Sequence, residues 1–135
     1  MLETAKVQDY MATRVISFGP ETRLRDAIRT LQEYGISGAP VVDAGGNLTG
    51  MLSELDCIRA VLAGRVQGGE EDARVADYMS RDLDRIEVDT DLTEAARIFM
   101  TLGRRRLPVV REGKLAGQIS RRDILRAVEE WTREG

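Results

Sequence analysis

Residues 117–128 read Gly-Gln-Ile-Ser-Arg-Arg-Asp-Ile-Leu-Arg-Ala-Val. The pattern predicts a buried strand that ends at a serine, a sharp turn, and an amphipathic helix whose first turn carries an aspartate. Residues 50–61 repeat it as Gly-Met-Leu-Ser-Glu-Leu-Asp-Cys-Ile-Arg-Ala-Val. The remaining elements of the chain can be placed relative to these two copies.

The repetition covers most of the chain. The leading sequence Val-Gln-Asp-Tyr-Met at residues 7–11 returns 68 positions later as Val-Ala-Asp-Tyr-Met. Matching residues spread over a whole unit, with glycines and prolines in register, indicate a duplicated module. We therefore expect a first repeat at residues 7–63 and a second at residues 75–131. The glycine-rich, polar residues 64–74 between them are typical of a solvated linker.

Each copy has the same order of predicted elements, β-α-β-β-α, after a short leading helix. The predicted strands are rich in β-branched residues, and each first long helix has apolar residues at helical spacing and ends at a glycine. The strands are predicted at residues 15–18, 39–42 and 48–53, and at residues 85–88, 107–110 and 115–120. One such unit leaves part of its sheet uncovered, so we expect an α+β fold in which the two repeats pack face to face as a pseudo-two-fold pair.

Composition narrows the possible functions. A formal net charge of −3 argues against a nucleic-acid-binding protein. No apolar run approaches the length that spans a membrane, and a single cysteine, Cys57, is typical of a reducing compartment. We therefore expect a cytoplasmic protein. The sequence has no histidine, no cysteine pair, no phosphate-binding loop and no metal-ligand spacing, so we do not expect an enzyme or a resident cofactor.

Together these motifs resemble a tandem pair of CBS (cystathionine β-synthase) domains. The resemblance rests on Ser-Gly-Ala-Pro-Val-Val-Asp at residues 37–43, on Arg-Arg-Leu-Pro-Val-Val at residues 105–110, and on the two Gly-x-x-Ser-x-x-Asp endings. It covers roughly residues 7–130 and implies a regulatory module for AMP, ADP, ATP or S-adenosylmethionine, with or without Mg²⁺. In the family, the aspartate of the ending accepts hydrogen bonds from ribose hydroxyls, and the preceding serine helps to hold ribose or phosphate.

The resemblance also implies two clefts, each of which takes Ser and Asp from one repeat and an adenine frame from the other. The first predicted site consists of Ser120, Asp123, Val15, Ile16, Ile36, Ser37, Gly38, Ala39 and Pro40. The second consists of Ser53, Asp56, Leu83, Asp84, Arg104, Arg105, Arg106, Leu107 and Pro108. Asp84 replaces the apolar Ile16 of the first site, so the first site is the better candidate for a purine. A nucleotide that bridges both repeats is expected to change their relative angle or rigidity and so to signal to an unidentified partner protein.

Other interpretations remain open. Both Ser-x-x-Asp sequences are also N-terminal capping boxes with Asp in place of Glu. The arginine runs at residues 104–106 and 121–122 suit phosphates, an acidic partner surface or plain solvation. The whole chain is alternatively a ligand-free dimerisation or docking module, or, less well supported, binds nucleic acid through the arginine runs. We expect a homodimer formed through an exposed apolar stripe that includes members of the set Ile58, Val61, Leu62, Ile124, Val128 and Trp131.

Overall fold

The computed structural model describes residues 2–134 and contains six helices and five strands in that range. In chain order the elements are α1 (Val7–Tyr10), α2 (Leu24–Tyr34), β1 (Gly38–Val42), β2 (Leu48–Ser53), α3 (Glu54–Leu62), α4 (Val75–Tyr78), β3 (Ile86–Glu87), α5 (Leu92–Leu102), β4 (Arg106–Arg111), β5 (Lys114–Ser120) and α6 (Arg121–Glu134). The predicted mixture of helices and strands in two similar repeats is confirmed.

The chain forms two compact units that do not coincide with the two sequence repeats. Residues 16–83 form one unit, which we call the central unit. The residues up to Val15 and those from Asp84 onward form the other, which we call the outer unit. Helix α1, at the start of the first repeat, therefore belongs to the outer unit with the second repeat, and helix α4 belongs to the central unit with the first.

Each leading helix, α1 or α4, packs in the unit that holds the other repeat, through a buried valine and backbone hydrogen bonds. We call this arrangement the exchange of leading helices. Val7 and Val75 are both fully buried, each in the core of the unit that holds the other repeat. The N–H of Val7 donates to the carbonyl of Thr90 (2.8 Å), and the N–H of Val75 donates to the carbonyl of Thr22 (2.9 Å). Burying a valine side chain is worth about 1.5–3 kcal/mol. Each leading helix is thus a structural part of the unit that it joins.

In the central unit, β1 and β2 pair antiparallel, with Gly38 opposite Ser53. The strand predicted at residues 15–18 is wrong as a full strand, since it is reduced to one parallel bridge between Phe18 and Val41. Gly19 and Pro20 follow at once and end the pairing there. The core consists of Phe18, Leu24, Ala27, Leu31, Ala39, Val41, Leu52, Cys57, Ala60, Ala73, Val75 and Met79.

In the outer unit, β3 pairs parallel with β4, and β4 pairs antiparallel with β5, with Arg106 opposite Ser120. The core consists of Val7, Ile86, Val88, Leu92, Ala95, Phe99, Leu107, Val109, Ile119, Ile124 and Ala127. Ile124 is therefore buried (8% exposed), and its predicted place in an exposed stripe is wrong. Ile124 lies about one helical turn before Ala127, on the same face of α6, and both side chains belong to the core of the outer unit.

The glycines that the sequence places at helix ends are found there, but the linker at residues 64–74 is less solvated than its composition predicts. Gly35 and Gly103 end α2 and α5 in the left-handed conformation, with φ of 61° and 66°, as predicted. The segment between the repeats is only partly solvated. Ala73 is fully buried, donates from its N–H to the carbonyl of Arg65 (2.8 Å) and accepts from the N–H of Leu24 (2.9 Å).

Candidate functional site

The Ser-x-x-Asp sequence of the central unit forms a closed capping box at the start of α3. Asp56 Oδ2 accepts from the N–H of Ser53 (2.8 Å), and Ser53 Oγ accepts from the N–H of Asp56 (3.2 Å). The other carboxylate oxygen, Oδ1, lies 2.6 Å from Arg59 Nη1. Asp56 is only 7% exposed, so both of its oxygens are engaged in a largely buried position. The capping interpretation is confirmed for this residue.

The corresponding aspartate of the outer unit is held in the same way but is more open. Asp123 Oδ2 accepts from the N–H of Ser120 (2.8 Å) and from Ser120 Oγ (3.0 Å). Asp123 Oδ1 lies 3.2 Å from Arg126 Nη2, and the aspartate side chain is 21% exposed, against 10% for Asp56. A fixed carboxylate with an accessible oxygen is a suitable acceptor for the two hydroxyls of a ribose.

Arg126 connects Asp123 to the leading helix α1. Its Nη2 also donates to the carbonyl of Tyr10 (2.9 Å), and its guanidinium carbon lies 5.1 Å from the centroid of the Tyr10 ring. The Tyr10 hydroxyl donates to Glu130 Oε2 (2.9 Å). This network places Arg126 without relying on Asp123 alone. The sequence analysis did not identify Arg126 or Glu130 as partners of Tyr10; the only signal was an arginine three residues after each aspartate.

The residues that precede the Pro-Val-Val strands lie beside the helix starts within each unit. The carbonyl of Ser37 accepts from the N–H of Glu54 (2.9 Å), and the carbonyl of Arg105 accepts from the N–H of Arg121 (3.1 Å). A Cβ atom on Gly38 would lie 2.8 Å from the carbonyl oxygen of Leu52, so no side chain fits there. Each unit thus brings a strand start and a capping box together at one end of its sheet.

The predicted sites divide between the two units. For the first site, Val15, Ser120 and Asp123 belong to the outer unit, and Ile16, Ile36, Ser37, Gly38, Ala39 and Pro40 belong to the central unit. For the second, Ser53, Asp56 and Leu83 belong to the central unit, and Asp84, Arg104, Arg105, Arg106, Leu107 and Pro108 belong to the outer unit. The pairing of these halves into clefts stays a prediction of the sequence.

Several predicted frame residues have buried side chains. Ala39 and Leu107 are 1% exposed and lie in the cores of their units, and Pro40 is fully buried. Their side chains support the sheets, which leaves main-chain atoms as the groups that these positions offer to a ligand. Ile36 is half-buried and Ser37 is exposed, so their side chains remain accessible.

Asp84 forms an ion pair with an arginine of its own unit. Its Oδ2 accepts from Arg104 Nε at 3.0 Å, with the carboxylate side chain 35% exposed and that of the arginine 60% exposed. The ion pair accounts for an aspartate where the other repeat has the apolar Ile16. It also fixes the direction of one of the three consecutive arginines.

The thiol of Cys57 is a core group. The side chain is 6% exposed, and burial, with smaller contributions from Asp56 and Glu54, raises the pKa of the thiol to about 11. Among the side chains of residues 2–133, no cluster of three from His, Cys, Asp or Glu is placed to hold a metal ion. None of the helices in that range is both long and apolar enough to cross a membrane.

Comparison with protein families gives two matches to the CBS domain model, at residues 7–63 and 75–130. A 17.7 kDa protein of Acidianus ambivalens is 29% identical over 91% of this chain and 73% of its own length. The A-adding tRNA nucleotidyltransferase of Aquifex aeolicus is 31% identical over 93% of this chain but only 14% of its own length. The chain spans 24% of the inosine-5′-monophosphate dehydrogenase of the same organism, at 30% identity. Both enzymes are therefore much longer than the part that matches this chain.

Solved structures give the same result. CBSX2 in complex with AMP is 30% identical, with a TM-score of 0.79 over 95% of this chain and 98% of that one. A second structure of CBSX2, from Arabidopsis thaliana, has a TM-score of 0.81 at 30% identity, over 96% of this chain and 97% of that one. A CBS domain pair in complex with 5′-methylthioadenosine and S-adenosylmethionine is 20% identical, with a TM-score of 0.72 over 94% and 98% of the two chains, and shares the fold.

Proposed function

Because the chain belongs to the CBS domain family and carries two copies of that domain, we propose that it is a regulatory module that binds an adenosine-containing ligand and signals its presence to a partner protein. The candidate ligands are AMP, ADP, ATP and S-adenosylmethionine. The proposal is supported by the crystal structure of a relative, CBSX2, with AMP, at 30% identity over nearly the full length of both chains.

The observation that carries the proposal is the carboxylate of Asp123. It is fixed by two hydrogen bonds from Ser120 and is still 21% exposed. A ribose presents two neighbouring hydroxyl donors, and an oriented carboxylate binds them without the entropic cost of ordering a flexible side chain. Asp56 is the weaker candidate, because its side chain is only 10% exposed and its Oδ1 lies closer to its arginine, at 2.6 Å against 3.2 Å for Asp123.

Signalling requires that the ligand binds one arrangement of the chain more tightly than another. A ribose at Asp123 competes with Arg126 for Oδ1, and Arg126 in turn holds the carbonyl of Tyr10 in α1. Occupancy at Asp123 therefore changes the contacts of the C-terminal end of α1. We propose that this segment transmits the signal.

The proposed experiment is calorimetric titration with AMP, ATP, S-adenosylmethionine and NAD in wild-type protein and in Asp123→Ala. Replacing Asp123 also removes a helix cap, so Asp91→Ala is the matched control: Asp91 Oδ1 caps α5 in the same unit by accepting from the N–H of Glu94 (2.8 Å). We expect Asp123→Ala to weaken binding at least tenfold and Asp91→Ala to leave it unchanged. Equal binding by wild type and Asp123→Ala would contradict the site.

A second candidate function, a docking or dimerisation module without ligand, is favoured by one observation. Helix α3 exposes four large apolar side chains, Leu55, Ile58, Val61 and Leu62, each more than half exposed. An exposed apolar helix face of this kind is a surface on which a homodimer is built. Helix α6 of the other unit also exposes two large apolar side chains, Leu125 and Trp131. This alternative predicts that no adenosine compound raises the melting temperature, whereas the ligand-binding proposal predicts an increase.

A further inference from the structure

One end of the outer unit carries five arginines, which we call the arginine end. They are Arg104, Arg105, Arg106, Arg121 and Arg122, and all five are exposed. The start of β4, the end of β5 and the start of α6 bring them together, since Arg106 lies opposite Ser120 in the sheet and the carbonyl of Arg105 accepts from the N–H of Arg121. Two separate runs of the sequence thus form one positively charged surface.

Two of these arginines are held by the protein itself. Arg104 pairs with Asp84 at 3.0 Å, and Arg121 Nε donates to the carbonyl of Arg104 (2.7 Å). Among the side chains of residues 2–133, no ion pair or hydrogen bond engages the guanidinium groups of Arg105, Arg106 and Arg122. Placing like charges together without counter-ions opposes folding. These three exposed guanidinium groups are therefore available to an anion from outside the unit.

The same end of the central unit shows that the fold does not need these charges. The equivalent positions there hold Ile36, Ser37, Gly38, Glu54 and Leu55, which carry one negative charge and no positive one. The backbone is nevertheless the same, with the carbonyl of Ser37 accepting from the N–H of Glu54. The two repeats have kept one scaffold and diverged in the charge of this end.

We infer that the arginine end binds a chain of two or more phosphates, so that the ligand of the proposed function is a nucleoside di- or triphosphate rather than AMP or the positively charged S-adenosylmethionine. Guanidinium groups bind phosphate oxygens through paired hydrogen bonds. Three unpaired guanidiniums match the charge of a di- or triphosphate better than that of a single phosphate. This inference rests on the proposed function for its adenosine part; a free polyphosphate chain has the same chemistry.

The test is a calorimetric series at fixed ionic strength with EDTA present. The ligands are adenosine, AMP, ADP and ATP, with inorganic pyrophosphate and tripolyphosphate as probes that lack the nucleoside. We expect affinity to increase at least fivefold from AMP to ADP and again from ADP to ATP. In Arg105→Ala/Arg106→Ala/Arg122→Ala this gain is lost and ATP binds no more tightly than AMP. The control removes three exposed arginines elsewhere, in Arg29→Ala/Arg97→Ala/Arg133→Ala, and keeps the gain.

The outcomes separate the two proposals. Equal affinity for AMP, ADP and ATP overturns the inference and leaves the proposed function standing. Binding of tripolyphosphate without any adenosine compound, lost in the arginine-end variant, supports the arginine end and overturns the proposed function. ATP binding that is retained in the arginine-end variant overturns the inference, as does tighter binding of a DNA duplex than of ATP. Melting curves of both triple variants establish that they are folded.

Discussion

Gly117 is the position at which the exchange of leading segments can be tested most directly. A Cβ atom there would lie 2.5 Å from the carbonyl oxygen of Ala12 and 2.8 Å from Met11 Sδ. The carbonyl cannot retreat freely, because Ala12 and Gln118 exchange two backbone hydrogen bonds of 2.8 and 2.9 Å. We therefore expect Gly117→Ala to destabilise the outer unit by pushing the leading segment away from β5.

The magnitude follows from two contributions. Overpacking a tight interface costs about 1–3 kcal/mol. Loss of one of the two backbone hydrogen bonds adds about 0.5–1.5 kcal/mol. The free energy of unfolding should fall by roughly 2–4 kcal/mol, which corresponds to a decrease in Tm of about 8–16 °C for a chain of this size. Urea denaturation and thermal melting followed by circular dichroism measure both quantities.

Two other glycines serve as comparisons. At Gly50, the nearest atom to an added Cβ is Met79 Sδ at 2.6 Å, the movable end of a flexible side chain, with the carbonyl oxygen of Ser80 at 3.0 Å. At Gly69 no atom lies within 4 Å. The expected order of destabilisation is Gly117→Ala, then Gly50→Ala, then Gly69→Ala with no loss. A Gly117→Ala protein as stable as Gly69→Ala would refute the packing of residues 11–12 against β5.

Three further predictions concern side chains. Because burial raises the pKa of the Cys57 thiol to about 11 from an ordinary value of 9.0, its reaction with a disulfide reagent at pH 8 should be slow in the native protein and fast in urea. The folded state then holds this proton more tightly than the unfolded state, so stability should fall as pH rises from 9 to 11, and less so in Cys57→Ala. Arg126→Ala should lower the unfolding free energy by about 1 kcal/mol, measured in urea, because the variant lacks the contacts of the exposed guanidinium with the Tyr10 carbonyl and ring. An unchanged urea midpoint would contradict the contribution of these contacts. Ile58→Asp should shift a homodimer to monomer in light scattering, and a wild-type protein that is already monomeric rejects the α3 surface as the interface.

The repeat and the capping boxes could be predicted from the sequence because they depend on local residue order. Gly35 and Gly103 end their helices where the pattern places them, and Ser53 and Ser120 lie at the starts of α3 and α6. Such features need only the few residues around them.

The features that the sequence did not reveal depend on distant residues. Nothing in residues 7–11 specifies which repeat receives α1, because both copies offer the same partners. The contact between Arg126 and Tyr10 joins residues 116 positions apart. Ala73 looked like part of a polar linker, yet it is fully buried and hydrogen bonded on both sides of its backbone. Only the three-dimensional structure identifies these partners.

The exchanged leading helices make the connection between the repeats dispensable for holding them together. If a protease cuts the exposed backbone near Gly69, the first fragment keeps α1, whose Val7 completes the core of the second repeat. The second fragment keeps α4, whose Val75 completes the core of the first. Each piece carries a part that its neighbour lacks, so the nicked chain should travel as one species on a native gel and separate only in denaturant.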